Sequence, residues 1–156
     1  MKRWICVMLC AAMVLCLAAC GKTQPKEVDL KAAAAEAAAV ITENGEVLFP
    51  DENPEVIESL YPGLTAVELK QLVVYLPPVV GFPCEVVMVE TVSEDDAEKV
   101  CVILQDRING AADDTAYPEN AEGWKTRAEV WRNGPFVVMT ALPEGVERTA
   151  AMKAEF

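Results

Sequence analysis

Histidine does not occur anywhere in this chain of 156 residues. Its absence excludes Ser-His-Asp and Cys-His nucleophile pairs, zinc sites with histidine ligands, and the commonest general base near neutral pH. Serine is scarce as well, and neither Ser59 nor Ser93 lies in a Gly-x-Ser-x-Gly elbow. The chain also contains no phosphate-binding glycine loop and no dinucleotide fingerprint. We therefore expect no enzyme activity, no catalytic residue and no cofactor.

Basic residues are also few, since the chain contains 13 of them and 25 acidic residues, and its formal net charge is −12. Such a chain repels nucleic acid and anionic headgroups, so we expect no nucleic-acid partner. Two acidic clusters, Asp51-Glu52-Asn53 and Asp113-Asp114-Thr115, contain the oxygen ligands that calcium prefers. The first lacks the glycine of an EF-hand loop, and the second has only two consecutive acids. We expect solvated loops there and no metal site.

Long hydrophobic runs are limited to one, Trp4 to Leu17, which follows the basic residues Lys2 and Arg3. A helix of this length spans roughly 21 Å, which is short of the ~30 Å hydrocarbon core of a bilayer. A short apolar run with a basic start and small residues near its end is typical of a secretory signal. The alternative is an uncleaved transmembrane anchor.

The residues directly behind this run, Leu17-Ala18-Ala19-Cys20, match the lipobox of bacterial lipoproteins. The resemblance implies cleavage between Ala19 and Cys20 and acylation of the Cys20 thiol, which becomes the first mature residue. It places the protein on the extracytoplasmic face of the cell membrane, with lipid as its anchor. Removing Lys2 and Arg3 with the signal changes the formal charge from −12 to −14.

We divide the chain into a signal peptide (1–19), a lipidated cysteine and tether (20–27), and a single domain (28–156). Hydrophobic periodicity and capping residues predict helices and strands in alternation along that domain. Short strands joined by tight loops favour an α+β domain, with an antiparallel sheet of about four strands and helices packed on one face. The predicted elements are helices at 28–43, 54–60 and 94–109, strands at 71–76, 84–91, 127–132 and 135–142, and a last amphipathic helix opened by Pro143.

Several motifs occur in a characteristic order from Asp29 to the C-terminus. Together they resemble a domain-of-unknown-function family of short lipoproteins from Gram-positive anaerobic bacteria. No catalytic residue is established for that family, so the resemblance implies none here. The chain departs from the family pattern at Pro78–Phe82, where small polar residues are more usual. The matching segments are Leu60-Tyr61-Pro62-Gly63, Val74-Tyr75-Leu76-Pro77, Glu85–Glu90, Glu94–Asp106 and Phe136–Ala141.

Besides Cys20, the mature chain contains two cysteines, Cys84 and Cys101. An exported protein can form a disulfide between them. If the helix at 94–109 runs back along the strand at 84–91, however, the rise per residue of the two elements places these cysteines ~12 Å apart along the strand direction. This exceeds the ~7 Å limit between the Cα atoms of a disulfide. We expect two buried free thiols, with the disulfide as the alternative.

Two groups of residues are candidates for a binding surface. The loop Pro77–Pro83 places apolar side chains beside rigid prolines, so that little entropy remains to be lost on binding. Near the hairpin, tryptophans lie among arginines, a combination typical of interaction hot spots. Core packing is the alternative for both groups. The candidate residues are Val79, Val80, Phe82, Trp124, Arg127, Trp131 and Arg132.

The sequence therefore predicts a membrane-anchored lipoprotein with a non-catalytic binding module for another exported protein or an envelope component. The alternative is a small-ligand-binding lipoprotein associated with a transporter. We favour the first, because one domain of this length does not provide the two-lobed cleft that such ligand-binding proteins use.

Overall fold

A computed structural model describes residues 27–79 and 81–156. The signal peptide 1–19, the lipidation site Cys20 and the candidate residue Val80 lie outside the described residues. Among the helices of the described part of the chain, none has the length and apolar character needed to cross a membrane.

The centre of the fold is a five-stranded antiparallel sheet with the strand order β1-β2-β3-β5-β4. Strands β4 and β5 form the hairpin that Asn133-Gly134 predicts, and Gly134 adopts a positive φ of 55°. The α+β class and the antiparallel sheet are thus confirmed, with a two-residue edge strand in addition. The strands are β1 (Phe49–Pro50), β2 (Leu69–Leu76), β3 (Glu85–Thr91), β4 (Ala128–Asn133) and β5 (Phe136–Ala141).

Four helices pack against this sheet, and three of them begin at a side-chain cap; the sequence predicts two of these caps, Asn53 and Ser93. The side chains of Asp29, Asn53 and Ser93 accept hydrogen bonds from backbone N–H groups in the first turns that follow them. The helices are α1 (Leu30–Glu43), α2 (Pro54–Leu60), α3 (Glu94–Ala112) and α4 (Pro118–Arg127).

The helices cover both faces of the sheet, whereas the sequence reasoning placed them on one. On one face, α1 packs its Ala-rich stripe against Val86 and Met88 of β3. On the other face, α2, α3 and α4 pack over Val87 and Val89. Apolar residues occur at both alternating positions of β3 because neither face of this strand meets water.

The C-terminal segment differs from the predicted amphipathic helix. Residues after Pro143 form turns and extended chain, and only a single 3-10 turn follows at Ala151–Lys153. Gly145 adopts a positive φ of 82°, which breaks the helical pattern there. The apolar residues of this segment are still used, because Met152 is buried in the α1-side core and Phe156 packs on Phe136.

Cys84 and Cys101 are both free thiols, as predicted from the distance that helical and strand rise place between them. Cys84 is buried in the core on the α1 side of the sheet, whereas Cys101 packs, half-buried, at the edge of the core on the α3 side. The sheet therefore separates the two sulfur atoms.

We expect the two thiols to differ strongly in reactivity. Burial raises the pKa of Cys84 to about 12, so almost no thiolate forms there at pH 8. Iodoacetamide at pH 8 should alkylate Cys101 at least ~10-fold faster than Cys84, as followed by peptide mass spectrometry. In urea the two rates should converge. A peptide cross-linked through Cys84 and Cys101 in a non-reducing digest would contradict the structure.

Candidate functional site

The loop Pro77–Pro83 connects the end of β2 to the start of β3 and is fixed at both sides. Pro77 and Pro83 are buried, while the side chains of Pro78, Val79 and Phe82 reach solvent. Val79 is 60% exposed and Phe82 is 46% exposed. The loop therefore presents apolar side chains at its tip from a base that belongs to the core.

Other exposed apolar side chains lie at the same end of the sheet. Phe49 stands opposite Leu76, the last residue of β2, and Val47 precedes it. Tyr117 directly precedes α4, whose first turn lines a groove together with Phe82. We call this surface the apolar end. It contains five of the seven large apolar side chains that are exposed within the described residues: Val47, Phe49, Val79, Phe82 and Tyr117.

A small groove of about 150 Å³ lies beside Phe82, and its charges are mostly negative. Glu46, Glu119 and Glu144 line it, and none of the three forms an ion pair with any residue in the described ranges. Arg127 is the basic residue of this lining, and its Nε donates to the carbonyl oxygen of Leu142 at 3.0 Å. The groove thus combines apolar side chains, among them Phe82 and Pro143, with three acids, and we call these three acids its acidic rim.

Helix α4 holds the loop in place through two neighbouring residues. The indole Nε1 of Trp124 donates to the carbonyl oxygen of Gly81 at 2.9 Å. Gly123 lies so close to Pro83 that an added Cβ would stand 2.5 Å from the Cγ atom of that ring. Trp124 is fully buried, so it belongs to the core and not to the predicted binding surface.

Beneath the loop, Glu85 is a carboxylate with no exposure to solvent. The hydroxyl of Tyr61 donates to its Oε2 atom at 2.9 Å, and Arg107 forms an ion pair with it. The guanidinium of Arg107 lies 4.7 Å from the centre of the Trp124 ring, a cation–π geometry. The sequence reasoning missed this cluster. Its only sequence signal is the acid Glu85 at the start of the apolar strand β3, which also contains Glu90.

The surroundings keep the side chains of Tyr61 and Arg107 protonated. Burial, followed by the negative charge of Glu85, raises the pKa of Tyr61 well above its usual value, so the hydroxyl stays protonated as a donor. Burial acts to lower the pKa of Arg107, but hydrogen bonds and charge from Glu85 outweigh it and raise that pKa. Because the Glu85 carboxylate reaches no solvent, it meets no substrate, and we assign the cluster a structural role.

Trp131 and Arg132, which belong to the second candidate group near the hairpin, lie apart from the apolar end. They alternate on β4, so Trp131 packs, half-buried, on the α1 side while Arg132 pairs with Glu94 and Glu98 on the α3 side. Arg132 lies five residues along the chain from Arg127, about 16 Å at the usual strand rise. Among the predicted surface residues, the structure therefore brings together Phe82 and Arg127, which line one groove, with Val79 on the same loop as Phe82.

The described chain begins at the opposite end of the sheet. The backbone N–H of Leu30 donates to Gln71, which in turn donates to the carbonyl oxygen of Val28 and to Glu90. Val28, Gln71 and Glu90 border a wider groove of about 960 Å³, whose lining also includes Glu27, Lys70 and Phe136. The N-terminal end of the domain and the apolar end are thus separated by the length of α1, about 21 Å.

Comparison of the chain with protein-family models, with curated proteins and with solved structures returned no significant match. Within residues 27–79 and 81–156, no three Cys, Asp or Glu side chains are grouped so that they could hold a metal ion.

We expect the ion pair of Glu85 and Arg107 to be strongly coupled. Changing either residue alone leaves a buried charge without its partner, so Glu85→Leu or Arg107→Met should lower the free energy of unfolding by ~3–5 kcal/mol. The double variant should lose much less than the two single losses combined, because it leaves no such charge. Urea denaturation of the four proteins measures this coupling. Additive losses would show that the pair does not act as a unit.

Two helical glycines provide a matched test of how α4 supports the loop. Gly123→Ala should destabilise the protein by ~1–3 kcal/mol, because the new methyl group displaces Pro83. Gly110→Ala places its methyl in open space on α3 and should stabilise by up to ~1 kcal/mol. Thermal unfolding of both variants checks the pair. Equal effects would contradict the close packing of Gly123 on the loop.

Proposed function

We propose that this protein is a membrane-anchored extracytoplasmic lipoprotein whose domain is a non-catalytic binding module. The observation that carries the proposal is the concentration of exposed apolar side chains at the apolar end. A contiguous apolar patch on a soluble domain marks an interaction surface more often than scattered apolar residues do. The lipobox at Leu17–Cys20 supports the anchor, because it follows directly on the short apolar run.

The orientation of the domain supports a partner in the aqueous phase. The tether joins the described chain near Val28 and Gln71, at the end of the sheet remote from Phe82. The binding surface therefore faces away from the point of attachment. The negative charge of the mature chain also opposes contact with anionic lipid headgroups.

Membership of the family of short lipoproteins from Gram-positive anaerobic bacteria is part of this proposal. Its support is the order of motifs, from the alanine-rich helix α1 to the β4–β5 hairpin. The family contributes no residue role to the argument, so the binding surface rests on this chain's own geometry.

A second candidate function is the binding of a small ligand for a transporter. The wider groove at the N-terminal end favours it, because its volume is in the range of small-molecule sites. Its polar side chains, however, are bonded to one another, since Lys70 and Gln71 both donate to Glu90. A thermal-shift screen of metabolites tests this candidate, and a shift abolished by Gln71→Leu would favour it.

The anchor is tested by metabolic labelling with palmitate in the native host. We expect label on the wild-type protein and a mature N-terminus at Cys20, and both should be lost in Cys20→Ala. The matched control is Cys16→Ala, which changes a cysteine of the apolar run and should keep the label. Equal membrane retention of an unlabelled, full-length chain in all three proteins would instead establish an uncleaved transmembrane anchor.

The binding role is tested by photo-crosslinking on intact cells, with the crosslinking residue placed at position 79 or at position 102. Val79 and Val102 are equally exposed, at 60% and 61%, but Val102 lies on α3 away from the apolar end. A dominant product from position 79 that position 102 does not give would support the binding module. The same products from both positions would count against it.

A further inference from the structure

We propose that the apolar end binds a basic segment of another exported protein, one that inserts an apolar or aromatic side chain between lysines or arginines. This inference rests on the proposed function and names the chemistry of its partner. The apolar contact comes from Val79 and Phe82, and the charge comes from the acids around the groove.

The backbone on both sides of the apolar side chains is held by the core. Pro77 and Pro83 are buried, Gly81 adopts a positive φ of 114°, and its carbonyl oxygen accepts a hydrogen bond from Trp124. Residues whose neighbours are held in this way lose less entropy on binding. Phe82, between Gly81 and Pro83, is therefore the apolar side chain that is held most closely.

The size of the groove favours a single side chain over a free small molecule. Its volume is about 150 Å³. A cavity of that size holds a group as large as benzene, whereas small-molecule sites measure roughly 300–1,000 Å³. One aromatic or aliphatic side chain of a partner fills it, and the neighbouring residues of that partner then lie over the rim.

The charges at the rim determine what those neighbouring residues are. Glu46, Glu119 and Glu144 have no ion-pair partner within the described chain, and the positive group of Arg127 is directed to the carbonyl oxygen of Leu142. Other acids of the described surface are unpaired as well, but these three line one groove together with the exposed side chain of Phe82. A cationic partner therefore complements the rim, whereas an acidic partner or an anionic bilayer is repelled.

The test uses the full mature chain in detergent and two fluorescent ten-residue peptides. One peptide alternates lysine with leucine and contains a central phenylalanine, and the other has glutamate in place of every lysine. We expect binding of the lysine peptide only, with a loss of affinity of about 5-fold or more in Val79→Ser and Phe82→Ser. Val102→Ser is the matched control and should bind as the wild type does.

The contribution of charge is measured separately. The double variant Glu119→Gln/Glu144→Gln should bind the lysine peptide more weakly, and raising the salt from about 50 to 500 mM should weaken the wild type more than this variant. Circular dichroism and thermal unfolding show that each variant is folded. Equal affinity for both peptides, or an equal effect of Val102→Ser, would overturn the proposal.

Other occupants give distinct results that also overturn it. Concentration-dependent dimerisation lost in Phe82→Ser would establish a second copy of this chain as the occupant. Binding to anionic vesicles through Phe82 would establish a lipid surface. If the lysine peptide does not bind while a crosslinking residue at position 79 still gives a dominant product in cells, the proposed partner chemistry is wrong and the binding module stands. If both fail, the proposed function fails with it.

Discussion

The position of the helices on one side of the sheet depends on the buried charge of Glu85. A carboxylate without solvent costs several kcal/mol unless donors surround it. Those donors come from two other elements, with Tyr61 following α2 and Arg107 on α3. Trp124 of α4 then stacks on the guanidinium. The need for hydrogen-bond donors around this one charge at the start of β3 therefore determines the positions of three helices. Apolar packing alone would specify those positions less closely.

The same cluster extends to the surface through Trp124. One face of its ring meets Arg107, and its indole N–H holds the carbonyl oxygen of Gly81. The loop that carries Val79 and Phe82 is thus tied to the most buried polar group of the domain. Because these hydrogen bonds and ring contacts have defined directions, they keep the side chains of Val79 and Phe82 directed to solvent. Trp124 therefore connects the buried ion pair with the exposed apolar loop.

Local sequence signals predicted what depends on local physics. The caps Asn53 and Ser93 and the turn at Asn133-Gly134 act within a few residues, and the structure contains all three. The sequence reasoning was wrong about features that depend on packing between distant parts of the chain. It placed the helices on one face, although the apolar residues at both alternating positions of β3 carry the signal of a strand covered on both sides. It placed Trp124 and Trp131 together near the hairpin, but α4 and β4 direct them to different cores. Tyr61 and Arg107 lie more than 20 residues from Glu85, so no local pattern connects them with it.

The N-terminal end of the domain and the apolar end are separated by a rigid element. Helix α1 begins at Leu30, whose backbone N–H donates to Gln71, and it ends before the turn that leads to Phe49 at the apolar end. Its length of about 21 Å cannot shorten without breaking its backbone hydrogen bonds. The seven residues from Cys20 to Lys26 would reach at most ~25 Å when fully extended. If Cys20 carries the proposed lipid, the helix therefore adds nearly as much as the tether can to the distance between the apolar end and the point of attachment.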